Sequence, residues 1–421
     1  MLLGGLTRNR DFLKLWSGQA ISKIGSAITS VGIPLAAATV LGATPWQMGV
    51  LTGASGAGVL VFGLFAGAWA DRTRRRPIMI AADVARAALL ATIPLAALLH
   101  SLGMSQLYVV ATLAGALTVL FDTCYQAYIP SLVGRGELVE ANSKLALTGS
   151  IADVTGPGLT GLLVQLITAP IAILLDAASF LFSAVSIWAI RSPEPHPAPP
   201  EPSASPDILR EIAEGLRVSW RNRVLRALLL RAGFGAFSLG FIGGLYFLFA
   251  IRDLHLTAIP LGIIVSVGGA SSLLGALFAE RVHLRFGVGR ALIGAAWLTA
   301  ASMLLVPLAR GPVIVCAAFL IASQLGDMAW PVYMITETSL MQSITPDHLL
   351  GRVSSAIHLL FQGAVPLGAV AGGALAEIIG IRATMFAGAF FYLLVTLWFT
   401  FSAVRDVREM PAVGQASWPG R

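Results

Sequence analysis

The sequence predicts an all-α polytopic membrane protein, with twelve transmembrane helices arranged as two pseudo-symmetric six-helix bundles. Three observations lead there. Hydrophobic residues make up 56% of the 421 and charged residues only 12%, far from the balance of a water-soluble globular domain. Apolar runs long enough to cross a ~30 Å hydrocarbon core recur along the whole chain, separated by short polar turns. Two patterns from the first half return, degraded, about half a chain later.

In chain order the spans are expected near 12–40, 47–70, 78–100, 106–128, 143–167, 171–190, 227–251, 259–279, 291–309, 313–335, 357–378 and 384–404. The first follows a short basic stretch with no convincing cleavage site and is read as an uncleaved span. If both termini are cytoplasmic, 23 of the 28 Lys and Arg residues fall in cytoplasmic segments. Only Arg252, Arg310 and Arg382 fall outside, while Lys23 and Arg86 lie within spans. Shifting the topology by one span would invert that bias, so the number of spans is even. The net charge of +7 then reflects loop topology, and nucleic acid is not an expected partner.

The repeat is carried by Gly67-Ala-Trp-Ala-Asp71-Arg72, echoed in Gly275-Ala-Leu-Phe-Ala-Glu280-Arg281. Leu132-Val-Gly-Arg-Gly-Glu-Leu138 is likewise echoed in Ser343-Ile-Thr-Pro-Asp-His-Leu349. The expected domains are therefore an N-terminal bundle (1–190), a cytoplasmic proline-rich linker with an amphipathic helix (191–225), a C-terminal bundle (226–404) and a tail (405–421). In the linker, Asp207 caps a helix from Ile208 to about Arg221. Its Ile208, Leu209, Ile212, Leu216 and Trp220 share one face, as suits a helix lying along the membrane surface.

Several classes drop out. Cys124 and Cys316 both sit in apolar runs and support neither a disulfide framework nor a metal cluster, and no cofactor is expected. The chain has no His-rich or paired metal motif, no Gly-x-x-x-x-Gly-Lys loop and no plausible nucleophile with its base. An enzyme and a self-contained ATP-driven pump are both disfavoured.

The two six-span halves, the long basic central loop and the turn holding Gly67, Asp71, Arg72, Arg75 and Arg76 together resemble the Major Facilitator Superfamily over essentially the whole chain. Arg74 replaces the second glycine usual in that signature. Gly156-Pro157-Gly158-Leu-Thr160-Gly161 resembles the Gly-Pro motif associated with exporters. Asp83-Val-Ala-Arg86, Asp176-Ala-Ala-Ser179-Phe180 and Glu214-Gly215-Leu-Arg217 are similar to enterobactin-exporter-like and macrolide-efflux-like members. The intramembrane arginine of span 4 found in many drug–proton antiporters is absent.

The physical roles of these residues can be argued separately. Gly67 permits close helix approach and Asp71 can accept hydrogen bonds at a facing helix start, which suits a gate together with Arg72, Arg75 and Arg76. The arginines equally serve as topology determinants. Gly156 and Pro157 soften span 5, as a gating helix or an ordinary membrane kink requires. Charges inside spans cost at least ~2.5–3.5 kcal/mol near the bilayer centre unless they face a polar cavity or a partner. On that ground Asp153, Asp122, Asp327 and Lys23 are candidate proton-coupling groups, with Lys23 able to pair with Asp153, either as a switch or as a permanent ion pair. Gln19, Lys23 and Ser26 line one stripe of span 1. Phe241, Tyr246, Gln324, Trp330 and Gln362 add aromatic and amide groups from the second half, so these eight are candidate substrate-binding residues. Asp83 with Arg86 reads as a local structural pair.

The expected function is secondary-active efflux of an amphipathic small molecule such as a drug, siderophore or secreted metabolite, by proton antiport through alternating access. A proton-coupled importer on the same scaffold is the alternative. The expected place is the bacterial cytoplasmic membrane. Protons, a small molecule and the bilayer are the partners, and two pseudo-symmetric halves make a monomer sufficient.

Overall fold

The computed structural model describes residues 5–194, 208–407 and 409; for residues 7, 8, 64–72, 135, 208 and 209 it describes the backbone alone. Fourteen α-helices follow one another among the described residues, and no strand interrupts them. The first six are α1 (Arg10–Thr39), α2 (Pro45–Arg72), α3 (Arg75–Leu98), α4 (Met104–Leu132), α5 (Leu138–Ile167) and α6 (Ala169–Trp188). After the linker come α7 (Ile208–Arg221), α8 (Arg223–Arg252), α9 (Ala258–Phe286) and α10 (Val288–Leu308). The last four are α11 (Val313–Leu325), α12 (Ala329–Ile344), α13 (Asp347–Ile379) and α14 (Ile381–Thr400).

Eleven of the described segments are long and apolar enough to cross a membrane, with α11 and α12 counting as one segment, Val313–Ile344. The 28-residue α2, uncharged from 47 to 70, supplies the twelfth crossing. Many helices outrun their apolar windows because polar residues at each end continue the helix into the interface; α8, for example, begins at Arg223 rather than near 227.

Two compact units emerge. The first comprises Met1–Ala43, Ala54–Ser203 and Thr257–Ser266; the second comprises Thr44–Gly53, Ala204–Leu256 and Val267–Arg421. In the first unit, α1 packs against α6 and α5, and α3 packs against α6 and α4. Gly25 makes the α1–α6 approach possible: a Cβ there would fall onto the Ser179 hydroxyl and within 2.5 Å of Asp176 Oδ1. Phe12, Leu15, Met79, Phe121 and Tyr128 anchor this unit's core. The opening residues of α9 also belong here, where Ser266 Oγ accepts the Gly158 N–H at 2.9 Å.

In the second unit, α8 packs most extensively on α13 and next on α14, around a core that includes Leu228, Leu292, Tyr333, Val353 and Phe399. The first turns of α2 belong to this unit, with the Trp46 N–H donating to Glu377 Oε1 at 3.0 Å.

Three segments differ from expectation. Residues 191–194, read as linker, are bonded into the first unit: Arg191 and Ser192 donate their N–H groups to Asp11, and Glu194 accepts those of Arg75 and Arg76. A carboxylate at the start of α3 satisfies orphan helix donors, which explains the docking. Helix α7 spans the expected residues but is held by α13 as well as facing solvent. Gly215 meets the Arg352 carbonyl and Glu214 pairs with Arg352 at 3.0 Å, while Leu216 and Trp220 stay exposed. Asp207 lies outside the described residues, as do the side chains of Ile208 and Leu209. Finally, Val407, read as tail, accepts the Gly289 N–H at 2.9 Å and so closes onto the start of α10.

The repeat is written in the backbone too. Thr168, between α5 and α6, has φ 80° and ψ 154°; Gly380, between α13 and α14, has φ 84° and ψ 158°. The same left-handed junction is filled by glycine in one repeat and by a β-branched residue in the other.

Candidate transport site

The most informative departure from regular helix lies in the second unit. A continuous span at 313–335 is expected from sequence, yet α11 ends at Leu325 and a 3-10 turn, Gly326–Met328, precedes α12. Breaking a membrane helix strands backbone groups unless neighbours satisfy them. Here Ser271 Oγ from α9 donates to the Gln324 carbonyl at 2.6 Å, and just before the turn Ser323 Oγ ties α11 to α10 by donating to the Ser302 carbonyl at 2.8 Å. Gly275 leaves room for the Met328 carbonyl, and Gly326 for the Ser302 hydroxyl.

Asp327 sits in this turn with its side chain exposed. Gly268 of α9 backs it so closely that a Cβ would come within 2.6 Å of Asp327 Oδ2 and 2.9 Å of Gln324 Nε2. Gly268 is therefore a positioning residue that the apolar pattern did not single out. The charge of Asp327 also acts on Tyr246 of α8, whose hydroxyl is buried without a hydrogen-bond partner. Half-buried Trp330 packs tilted against Phe361, ring centres 5.4 Å apart, and Phe361 is the neighbour of half-buried Gln362. Phe241 stands apart from this group. It is wedged against Gly372 and Gly388, with its ring centre 5.3 Å from that of Phe237, so it serves helix packing.

In the first unit, Asp153 and Lys23 are both exposed on the packed helices α5 and α1. Lys23 exerts its charge on Asp153, but no ion pair joins them among the described residues. The expected contact pair is thus a longer-range one. Pro157, one turn on, lacks the N–H that would serve the Asp153 carbonyl in a regular helix, so the acid occupies the softened turn of α5. Gly156 is buried against Ala27 of α1. Asp122 is half-buried in α4 and Ser26 half-buried in α1. Gln19 is only 4% exposed and donates to Ser183 Oγ at 3.1 Å, so it belongs to the α1–α6 contact and not to an open wall.

For the predicted gate, Gly67, Asp71 and Arg72 fall in α2, and their side chains lie outside the described residues. Arg75 Nη1 donates to the Ala127 carbonyl at 3.0 Å; Arg76 Nε donates to the Ile187 carbonyl at 3.1 Å and its Nη2 to that of Trp188 at 2.5 Å. These bonds staple the first unit at the ends of α4 and α6, where helix carbonyls lack internal donors.

Two buried charge clusters were not assigned to transport from sequence. Asp83 and Arg86 form an ion pair at 0% and 4% side-chain exposure. In the second unit, Arg231 and Glu337 are both buried. Arg231 lies inside the expected span 227–251 but is counted there among the cytoplasmic basic residues, whereas Glu337 falls just past the end of an apolar window that α12 outruns.

Comparison with known proteins agrees with this architecture. The family model MFS_3, described as a transmembrane secretion effector, matches residues 6–421. The multidrug efflux pump Tap of Mycolicibacterium fortuitum is 30% identical over 341 residues, covering 78% of this chain and 80% of Tap. Macrolide efflux protein A of Streptococcus pyogenes is 26% identical over 385 residues, covering 88% and 90%. Among solved structures, the nucleoside transporter NupG superposes with a TM-score of 0.77 at 12% identity, covering 93% of this chain and 98% of that one. A bacterial homologue of the iron transporter ferroportin, in its inward-facing state, gives 0.67 at 17%, covering 93% and 99%. These last two likenesses speak to the fold. With the matched family model spanning nearly all of the twelve-crossing chain, the protein belongs to the MFS_3 transmembrane secretion effector family of multi-pass membrane transporters.

Proposed function

We propose that this transporter exports an amphipathic small molecule in exchange for protons, by alternating access, from the cytoplasmic membrane of a bacterium with both termini inside. The observation that carries the proposal is Asp327, an exposed carboxylate set in a break of a membrane-crossing helix and backed by Gly268 and Gln324. An ionisable side chain at such depth is costly unless it meets solvent, substrate or a counter-charge, and broken helices are where transporters place such groups. Asp153 beside Pro157, under the influence of Lys23, supplies a second acid in the other unit. Protonating either carboxylate removes a charge, which changes the cost of exposing that helix to each side. Asp122 is a further candidate acid on α4. Gly67, Asp71 and Arg72 with Gly156 and Pro157 are proposed as gating positions, with Arg75 and Arg76 stiffening the unit they move with. Ser26, Lys23, Tyr246, Gln324, Trp330 and Gln362 are proposed to meet substrate. The outward direction is supported by relatives named as efflux pumps.

Inverted membrane vesicles with an acidified interior test this, using erythromycin as a macrolide probe and a growth screen to extend the compound panel. Gradient-dependent accumulation is expected, reduced tenfold or more in Asp327→Asn at unchanged folded yield. Gradient-dependent loss of the probe would make the protein an importer, and full accumulation by the variant would remove Asp327 from the mechanism.

A further inference from the structure

The second unit holds a buried polar cluster to which nothing above assigns a role. Arg231 (α8) and Glu337 (α12) are 3% and 6% exposed. The Arg231 guanidinium carbon lies 4.3 Å from the ring centre of Tyr333 (α12) and 5.1 Å from that of Tyr392 (α14). Arg231 Nη2 donates to the Tyr392 hydroxyl, and the Tyr333 hydroxyl donates to Glu337 Oε1 at 3.3 Å. No ion pair joins Arg231 to Glu337 among the described residues. Arg231 Nε and the hydroxyls of Thr336 and Thr396 are buried without hydrogen-bond partners.

This is an unusual way to bury two opposite charges. A permanent pair is stable in a dry interior when its members contact each other and their remaining hydrogen bonds are satisfied. Here the nearest polar partner of each charge is a neutral phenol, and one donor of the cation is idle. Adding a proton to Glu337 therefore breaks no direct ion pair: Arg231 keeps Tyr392, and the Tyr333 hydroxyl is free to turn and accept from the new carboxyl O–H. The charged and titratable groups that act on Glu337 are Arg231, from α8, and Tyr333, on its own helix; Tyr392 enters through Arg231. From α10 and α13, which also pack on α12, no such group is among those acting on it.

We propose that Glu337, held by Tyr333 and balanced by Arg231 and Tyr392, is a proton-binding site inside the second unit, distinct from Asp153 and Asp327. Uptake takes the cluster from net neutral to a single positive charge, and release restores it. That this proton contributes to transport rests on the proposed antiport; that the site titrates does not.

The experiment is pH-induced infrared difference spectroscopy on the full-length protein in liposomes. The wild type is expected to show a protonated-carboxyl band that disappears on alkalinisation, with the Glu337 component absent from Glu337→Gln and shifted in Glu337→Asp and Tyr333→Phe. Thermal melting confirms that each variant is folded. Identical difference spectra for wild type and a folded Glu337→Gln would overturn the proposal. A second arm compares gradient-driven with gradient-free exchange of erythromycin in vesicles. Loss of the first alone in Glu337→Gln ties the site to coupling, whereas a wild type indifferent to the gradient sinks antiport and leaves the infrared result to decide the site.

Discussion

Each unit buries one arginine between two aromatic rings, and the two arrangements differ in what holds the charge. In the first, the Arg86 guanidinium carbon lies 4.5 Å from the Phe121 ring centre and 4.1 Å from that of Phe180, and the arginine is paired with Asp83 one turn away. In the second, Arg231 lies between Tyr333 and Tyr392, without direct contact to an acid. Tyr333 and Tyr392 follow Phe121 and Phe180 at one common offset, close to half the chain, and so do Gly380 and Thr168. That offset carries Arg231 of α8 onto Gln19 of α1, which is likewise buried and is bonded to Ser183. The repeat thus preserves an aromatic box and lets the cation enter from a different helix. A tight pair is a strut; a loose one is able to change its charge.

The largest effect should separate the two. Arg86→Met leaves Asp83 buried without its cation, and removing one member of a buried pair costs about 3–5 kcal/mol. Melting of the detergent-purified protein should show that loss, and the double variant Asp83→Leu with Arg86→Met should recover most of it. A double variant as unstable as the single would break the strut assignment. Arg231→Met sharpens the contrast through pH. It strands an ionised Glu337, so its instability should be greatest at alkaline pH and shrink as acid protonates the carboxyl. A penalty independent of pH would make the second cluster another strut.

A smaller effect probes why the units pack differently. Gly25→Val drives a side chain into Ser179 and Asp176 and should destabilise by about 1–3 kcal/mol, the usual range for overpacking. At the corresponding offset α8 carries Phe237, edge-on to Phe391 at 6.2 Å, and there the glycine that permits close packing is on the partner helix: Gly368 of α13 lies against the Phe237 backbone. The smallest change should be favourable. Thr168→Gly relieves a left-handed conformation that Gly380 adopts without penalty, a gain of about 1 kcal/mol read as a raised melting temperature.

Twelve crossings and their repeat were legible because bilayer thickness imposes a length on every apolar run, and loop arginines report sidedness. Helix ends were less so. Arg223 and Glu337 are polar yet helical, since a helix does not stop where its hydrophobicity does, and with the end of α12 went the acid of the cluster around Arg231. The mid-span acids stood out as rare charges in apolar surroundings. The break at Gly326–Met328 left no comparable mark, because its causes are distant: Gly268, Ser271, Gly275 and Ser302 on other helices accommodate it. Gln19 looked like wall and is packing, a distinction set by how closely Gly25 brings α1 to α6.

Proton counting addresses the exchange of substrate for protons most directly. Purified transporter in weak buffer is titrated with the compound that a growth screen selects, macrolides first, and the pH is followed as binding proceeds. Release of protons in proportion to the compound bound, diminished in Asp327→Asn, is the expected result. Saturable binding by the wild type with no proton release at any starting pH would contradict it.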